Sequence, residues 1–366
     1  MFILVLTYCT LFFFIIGKIQ LKGTLSAILL WSFPFFLYFL VSGLQFNVGS
    51  DYPSYINIYM NQNYLLEKYF YSGEFFFYYI YKTLAYFDAP SQFIFVLFSF
   101  LQSIFIFSYF YSLKKLDFKI WLFFLIFFTV TNIYNNQLNG LRQYASLTLL
   151  PLISYFCFKN QTVKSVIFII IAITFHSSSI IFLLIFPLKK LYLKLSNRIF
   201  LLFLITAPIY YWSTYYIPEM LILLGGKYSY YINSQYFQGY SLTTIYTKIY
   251  YIPLILYFFY KYRINNKNNI NIGYGTNKKY FSFCIFIFSI TYWAFLPSLS
   301  ISILSRISSY FIFFYIFPIY YVIIESIYRR KNINTILILL YIILPYIIKV
   351  TLLAKGEFLY KSYIFN

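Results

Sequence analysis

The sequence predicts an all-α, polytopic integral membrane protein, and three observations carry that reading. Of its 366 residues, 62% are apolar or aromatic and only 10% are charged, whereas a soluble domain carries roughly 45–50% apolar and about 25% charged residues. Mean hydropathy is +0.74. Apolar runs of about 20 residues, the length that crosses a bilayer core as a helix, recur along the chain. Together these exclude a cytosolic enzyme, a secreted disulfide scaffold and a disordered chain. Residues 1–366 read as a single transmembrane domain.

Ten runs have the length and polarity of spans: residues 2–17, 24–44, 93–112, 120–134, 141–158, 199–217, 244–262, 280–304, 307–324 and 333–353. The first lacks the basic n-region and small-residue cleavage site of a signal peptide, so it reads as a span. Residues 75–87 are too short to cross and carry Lys82, which suits an interfacial or re-entrant helix. Residues 166–188 could cross once, but His176 lies near their middle and basic residues flank both ends. They are taken to enter and leave on one side. Most of the 28 Lys and Arg then share one face, among them Lys114, Lys115, Lys119, Lys189, Lys190, Lys194, Arg198, Arg263, Lys278 and Lys279. The positive-inside rule makes that face cytoplasmic and puts both termini outside. The net charge of +20 is thereby read as membrane orientation, with anionic lipid as the contact and no nucleic-acid partner. Cys9, Cys157 and Cys284 are scattered, without paired or metal-ligand spacing.

Two long outer loops remain, residues 45–74 with Asp51, Glu67 and Glu74, and residues 218–243 with Lys227 and a run of tyrosines. Loops held by a rigid scaffold often carry function. An ionisable group inside or beside a bilayer is costly and therefore a functional candidate. Arg142 opens an apolar run straight after Asn135-Asn136-Gln137-Leu138-Asn139-Gly140. It suits an anion clamp, because a guanidinium offers bidentate hydrogen bonds to phosphate, or it snorkels to headgroups. Arg306, in Ser305-Arg306-Ile307-Ser308-Ser309-Tyr310, has the same two readings, and its serines could bond a sugar or the helix-end carbonyls. His176, the single histidine, suits general acid–base work or an interhelical hydrogen bond; one histidine without clustered Cys or acids is too few ligands for a metal. Asp51, before Tyr52 and Pro53, could bind a sugar hydroxyl, act as a base, or cap a helix. Glycine-rich phosphate loops, G-x-S-x-G and dinucleotide fingerprints are absent, so ATP- or NAD-dependent chemistry has no support.

In order, Val48-Gly49-Ser50-Asp51-Tyr52-Pro53-Ser54-Tyr55, Asn139-Gly140-Leu141-Arg142-Gln143-Tyr144-Ala145, Phe175-His176-Ser177-Ser178, Ser305-Arg306-Ile307-Ser308-Ser309-Tyr310-Phe311 and Leu359-Tyr360-Lys361-Ser362-Tyr363 resemble the EpsG-like bacterial polysaccharide polymerases, the Wzy-type O-antigen and capsule polymerases. The resemblance runs from about residue 45 to the end. It implies a lipid-linked-sugar glycosyltransferase architecture in the bacterial inner membrane, and polymerisation of undecaprenyl-pyrophosphate-linked oligosaccharide units at the periplasmic face. It implies Arg142, Arg306 and His176 as catalytic residues and Asp51, Tyr52, Gln143, Lys227 and Tyr310 as substrate-binding ones. Membrane lipids and a chain-length regulator are the further partners; no cofactor is implied, since the lipid pyrophosphate carries the energy. A flippase or transporter of the lipid-linked unit, and an O-antigen ligase or membrane acyltransferase, are the alternatives.

Overall fold

A computed structural model describes residues 1–19, 24–224, 242–267, 278–299, 301 and 304–364. Among these residues all regular structure is helical, with one isolated antiparallel bridge between Gln45 and Ser362. The helices are α1 (Phe2–Lys18), α2 (Thr24–Gly43), α3 (Tyr52–Met60), α4 (Gln62–Leu65), α5 (Glu67–Tyr71), α6 (Phe75–Tyr86) and α7 (Gln92–Lys114). They continue as α8 (Ile120–Ile126), α9 (Ile133–Asn139), α10 (Leu141–Leu147), α11 (Leu150–Phe158), α12 (Thr162–Phe175), α13 (Ile185–Leu195) and α14 (Ile199–Leu224). After them come α15 (Leu242–Ile249), α16 (Ile252–Lys267), α17 (Lys278–Thr291), α18 (Ser305–Phe311), α19 (Ile316–Tyr328) and α20 (Asn332–Thr351). Four helical stretches among the described residues are long and apolar enough to cross a membrane: Gln92–Lys114, Lys278–Leu299, Ser305–Tyr328 and Asn332–Thr351. Shorter apolar helices occupy Phe2–Lys18, Ile28–Gly43, Ile120–Thr131 and Thr162–Phe175.

The chain divides into two compact units, Met1–Phe186 with Ile333–Asn366, and Pro187–Asn332. In the first, aromatic side chains knit the helices: the Phe13 ring lies 5.3–5.6 Å from those of Trp31, Phe107 and Phe124. Close approach of α2 to α7 needs Gly43, since a Cβ there would stand 3.3 Å from the Val96 Cα. The polar residues of α9 serve this packing. Tyr38 donates to Gln137 (3.0 Å) and Tyr346 to Asn135 (2.9 Å), the kind of bond that joins helices where water is absent. Only 11% of the most apolar window of Asn332–Thr351 is buried, an arrangement that water would oppose and lipid accepts.

In the second unit, Ser305–Tyr328 is 89% buried over the same measure. Tyr315 donates to the Tyr292 carbonyl (2.7 Å). Buried Glu325 pairs with Arg329 one turn later, and Arg329 also donates to Asn265 (2.8 Å). A buried acid is tolerable when paired in this way.

Several apolar runs prove to be interrupted. Residues 120–134 form α8, a π-helical turn at Phe127–Thr131, and a left-handed Asn132 (φ 52°) before α9. Asparagine is among the few residues that tolerate that backbone region. Residues 141–158 break between α10 and α11, just before Pro151, whose ring clashes with the preceding turn and which lacks an N–H. Residues 45–74 are largely helical, as α3, α4 and α5. Residues 218–224 continue α14 and residues 261–267 continue α16; Lys227 and the tyrosines after it lie outside the described residues.

Candidate active site

The first unit brings together two of the sequence-selected residues, Arg142 and His176, through Glu74. Three local structures place them. Helix α5 is closed off by Gly73, two residues past its end, whose φ of +81° lets the chain turn back: the Gly73 N–H donates to the Phe70 carbonyl (3.0 Å) and the Glu74 N–H to the Tyr69 carbonyl (2.9 Å). This is a Schellman closure, for which glycine is the usual residue. It sets Glu74 at the start of α6 with Tyr69 alongside. Helix α12 stops at Phe175, a buried ring stacked on Phe76 at 5.2 Å and edge-on to Phe98 at 6.0 Å. His176 is then extended (φ −152°, ψ 116°), and a 3-10 segment, Ser177–Leu184, follows. The start of α10 is held by Gln102, which donates to the Leu141 carbonyl (3.0 Å). Arg142 follows.

Glu74 is buried, with only 4% of its side chain exposed. Its Oε2 accepts from Arg142 Nη1. Its Oε1 meets His176 Nδ1 at 2.9 Å and accepts from the Ser177 N–H and Oγ at 3.3 and 3.4 Å. Burial raises the Glu74 carboxyl, but the His176 hydrogen bond, the charge of Arg142 and the Ser177 amide outweigh it and hold the group at about 2. Glu74 is therefore an anion at neutral pH, so His176 Nδ1 carries the proton it shares with Oε1. In a neutral imidazole held this way, the lone pair is on Nε2. The Arg142 guanidinium carbon stands 4.5 Å from the Tyr69 ring centre and 5.0 Å from that of Phe77, a cation–π setting that fixes its plane. Its Nε is buried without a hydrogen-bond partner.

A second loop docks beside this cluster. Asn139 accepts from the Asp51 N–H at 2.8 Å, which ties the Asn139–Gly140–Arg142 turn to the Gly49–Ser50–Asp51 turn. Asp51 precedes α3, with Pro53 in its first turn, yet its side chain makes no capping bond. Ser50 Oγ donates to it at 3.2 Å. Buried Tyr55 lies within electrostatic reach of both Arg142 and Asp51. Gly49, at φ +80°, is where a side chain is excluded: its Cβ would fall 2.4 Å from Asn139 Oδ1. Gly49→Ala should cost at least about 1–2 kcal/mol from the left-handed backbone alone, plus the displaced Asn139. Gly73→Ala has the same backbone penalty but open space around it. Thermal melts of the purified variants should therefore rank Gly49→Ala below Gly73→Ala; equal melting temperatures would refute the loop contact.

The other candidates are placed as follows. Tyr52 is buried, donates to Gln92 (3.0 Å) and stacks on Phe95 at 4.2 Å, while Gln92 donates to the carbonyls of Gly43 and Gln45. Tyr52 thus anchors the base of the Asp51 loop. Gln143 is partly exposed on α10. Arg306 and Tyr310 belong to the second unit, on α18, with Arg306 exposed and Tyr310 buried. Ser308 and Ser309 donate back to the Ser305 and Arg306 carbonyls at 2.8 and 2.7 Å.

The acid that joins the two basic groups is not one the sequence singles out. Glu74 is 68 residues from Arg142 and 102 from His176, and it shares its loop with Asp51 and Glu67. A signal does exist: like Arg142, it sits directly against an apolar helix, where a lone charge is costly.

A family model described as the EpsG family matches residues 28–365. No curated protein and no solved structure matches the chain.

Proposed function

Because the chain belongs to the EpsG family, whose members are membrane glycosyltransferase-like polysaccharide polymerases, we propose that it polymerises undecaprenyl-pyrophosphate-linked oligosaccharide units at the outer face of the bacterial inner membrane, as Wzy-type O-antigen and capsule polymerases do. A ten-span topology with both termini outside is part of that reading. The observation that supports it most is the Glu74 carboxylate joining Arg142 to His176.

The chemistry follows from that arrangement. The bond between the anomeric carbon of the growing chain and a pyrophosphate oxygen breaks, and the electron pair leaves with the lipid pyrophosphate. Arg142, its plane fixed by Tyr69 and Phe77, stabilises that charge, the main electrostatic task in such a transfer. The incoming sugar hydroxyl forms the new glycosidic bond and passes its proton to His176 Nε2. Glu74 holds the imidazole in the tautomer that accepts it. Asp51 and Gln143 bind sugar hydroxyls in this reading, and Arg306 supplies a guanidinium for phosphate.

Purified protein given only the lipid-linked repeat unit should build a ladder of polymer. Unchanged substrate, or transfer only after a different acceptor is added, would overturn the proposal in favour of transport or ligation. The pH dependence has a definite sign. Glu74 is held at about 2, below its ordinary 4.5, so its contribution to stability is complete above that ordinary value and is lost as pH falls toward the lower one. Between about pH 5 and 8, then, neither melting temperature nor polymerisation should titrate with Glu74.

A further inference from the structure

The second unit contains an open cavity of about 1080 Å³ whose lining falls into two kinds. Arg198, Arg263, Lys278 and Lys279 line it with Asn266 and Ser282, and no Asp or Glu is among its described lining residues. Apolar side chains, Phe200, Leu201 and Leu256, also line it, all of them exposed.

Four helices build this cavity and are fixed to one another, α14 to α17 through Thr206, which donates to the Ser289 carbonyl at 3.2 Å. Tyr192, on α13, donates to the Lys279 carbonyl at 3.1 Å and packs edge-on to Phe283 and Phe286 of α17 at 5.4 and 5.7 Å. On the other side, Phe259 of α16 packs against Phe200 and Phe203 of α14 at 5.1 and 5.0 Å. The basic residues therefore stand at the ends of three packed helices, not on a loose tail.

We propose that this cavity binds the headgroup of an anionic phospholipid, with the phosphate among Arg198, Arg263 and Lys279 and the upper acyl chain along Phe200, Leu201 and Leu256. A free anion would use only the basic side. An amphiphile with one negative charge uses both, and a basic pocket between helices on the face that carries the Lys and Arg loops is where such headgroups bind. Two arginines supply planar, paired donors for phosphate oxygens. The inference rests on the membrane orientation in that reading but not on its polymerase chemistry, and its readout is lipid binding.

The full-length protein, purified in a neutral detergent, is titrated with phosphatidylglycerol, phosphatidylcholine or inorganic phosphate while its melting temperature is followed. Phosphatidylglycerol should stabilise it, and the other two should not. Each basic side chain near an anionic headgroup is worth roughly fivefold in affinity, so Arg263→Gln with Lys279→Gln should raise the half-stabilising phosphatidylglycerol concentration roughly 30-fold. Lys159→Gln with Lys164→Gln removes the same charge from exposed sites of the first unit and should leave it unchanged. Equal stabilisation by phosphatidylcholine or phosphate, or equal weakening by the control pair, would overturn the proposal. A photoactivatable phosphatidylglycerol provides a test on the unaltered protein. Its label should fall on residues 196–201, 256–266 or 278–282, and labelling confined to other segments would also overturn it.

Discussion

Glu74→Gln should abolish the polymer ladder while the protein remains inserted and present in wild-type amounts. The carboxylate uses both oxygens as acceptors, Oε2 for Arg142 and Oε1 for His176 and Ser177. A glutamine of the same size offers one oxygen and one NH₂ group. Whichever way the amide turns, one donor faces another donor: either Arg142 loses its anchor or the imidazole is driven to the wrong tautomer. The rate lost should be about 10²–10⁴-fold, the usual worth of a positioned acid–base group. Glu74→Asp keeps the charge but withdraws it by one methylene, so it should fall between wild type and Glu74→Gln. Glu74→Ala is more severe, because it leaves a half-buried guanidinium uncompensated, a loss approaching the roughly 3–5 kcal/mol of a fully buried pair. The measurement is the chain-length distribution made by purified, correctly folded variants from lipid-linked repeats. A full ladder from Glu74→Gln would show that the Arg142–Glu74–His176 linkage has no part in the reaction.

The sequence made Arg142 and His176 visible for a physical reason. A charge or a titratable ring at an apolar helix end is expensive, and such residues stand out against 62% apolar composition. The same logic found the helical, membrane-type architecture. What it could not supply was pairing. Three acids share residues 45–74, and nothing in their spacing says that the Schellman turn at Gly73 aims Glu74, rather than Glu67 or Asp51, at Arg142. Tyr52 illustrates the converse. The resemblance implies a substrate-binding tyrosine; the structure adds that its ring lies on Phe95 and its hydroxyl on Gln92, contacts that depend on a helix 40 residues away. Hydropathy likewise reports mean polarity over a window and is blind to backbone conformation. The left-handed Asn132 and the break before Pro151 therefore vanish into runs that read as unbroken.

Arg142→Lys separates charge from geometry at the same site and carries the second large effect. Lysine keeps the cation near Glu74, so the melting temperature should stay close to wild type. It loses the flat guanidinium that lies against Tyr69 and Phe77, and with it the paired donors that match a pyrophosphate. Removing one well-placed donor from a site of developing charge costs about 10²–10³-fold in turnover. Where the loss appears tells what the arginine does. If Arg142 grips the pyrophosphate equally before and during bond breaking, KM rises and kcat holds. If it acts on the charge that builds on the leaving group, kcat falls and KM barely moves. The aromatic clamp favours the second outcome, because a guanidinium with a fixed plane suits one arrangement of phosphate oxygens better than the flexible ground state. Arg142→Ala should lower stability as well, since it leaves the Glu74 anion with His176 and Ser177 and without its permanent cation. Wild-type turnover in Arg142→Lys would mean that the site needs only a positive charge there, and the role given to Tyr69 and Phe77 would fall with it.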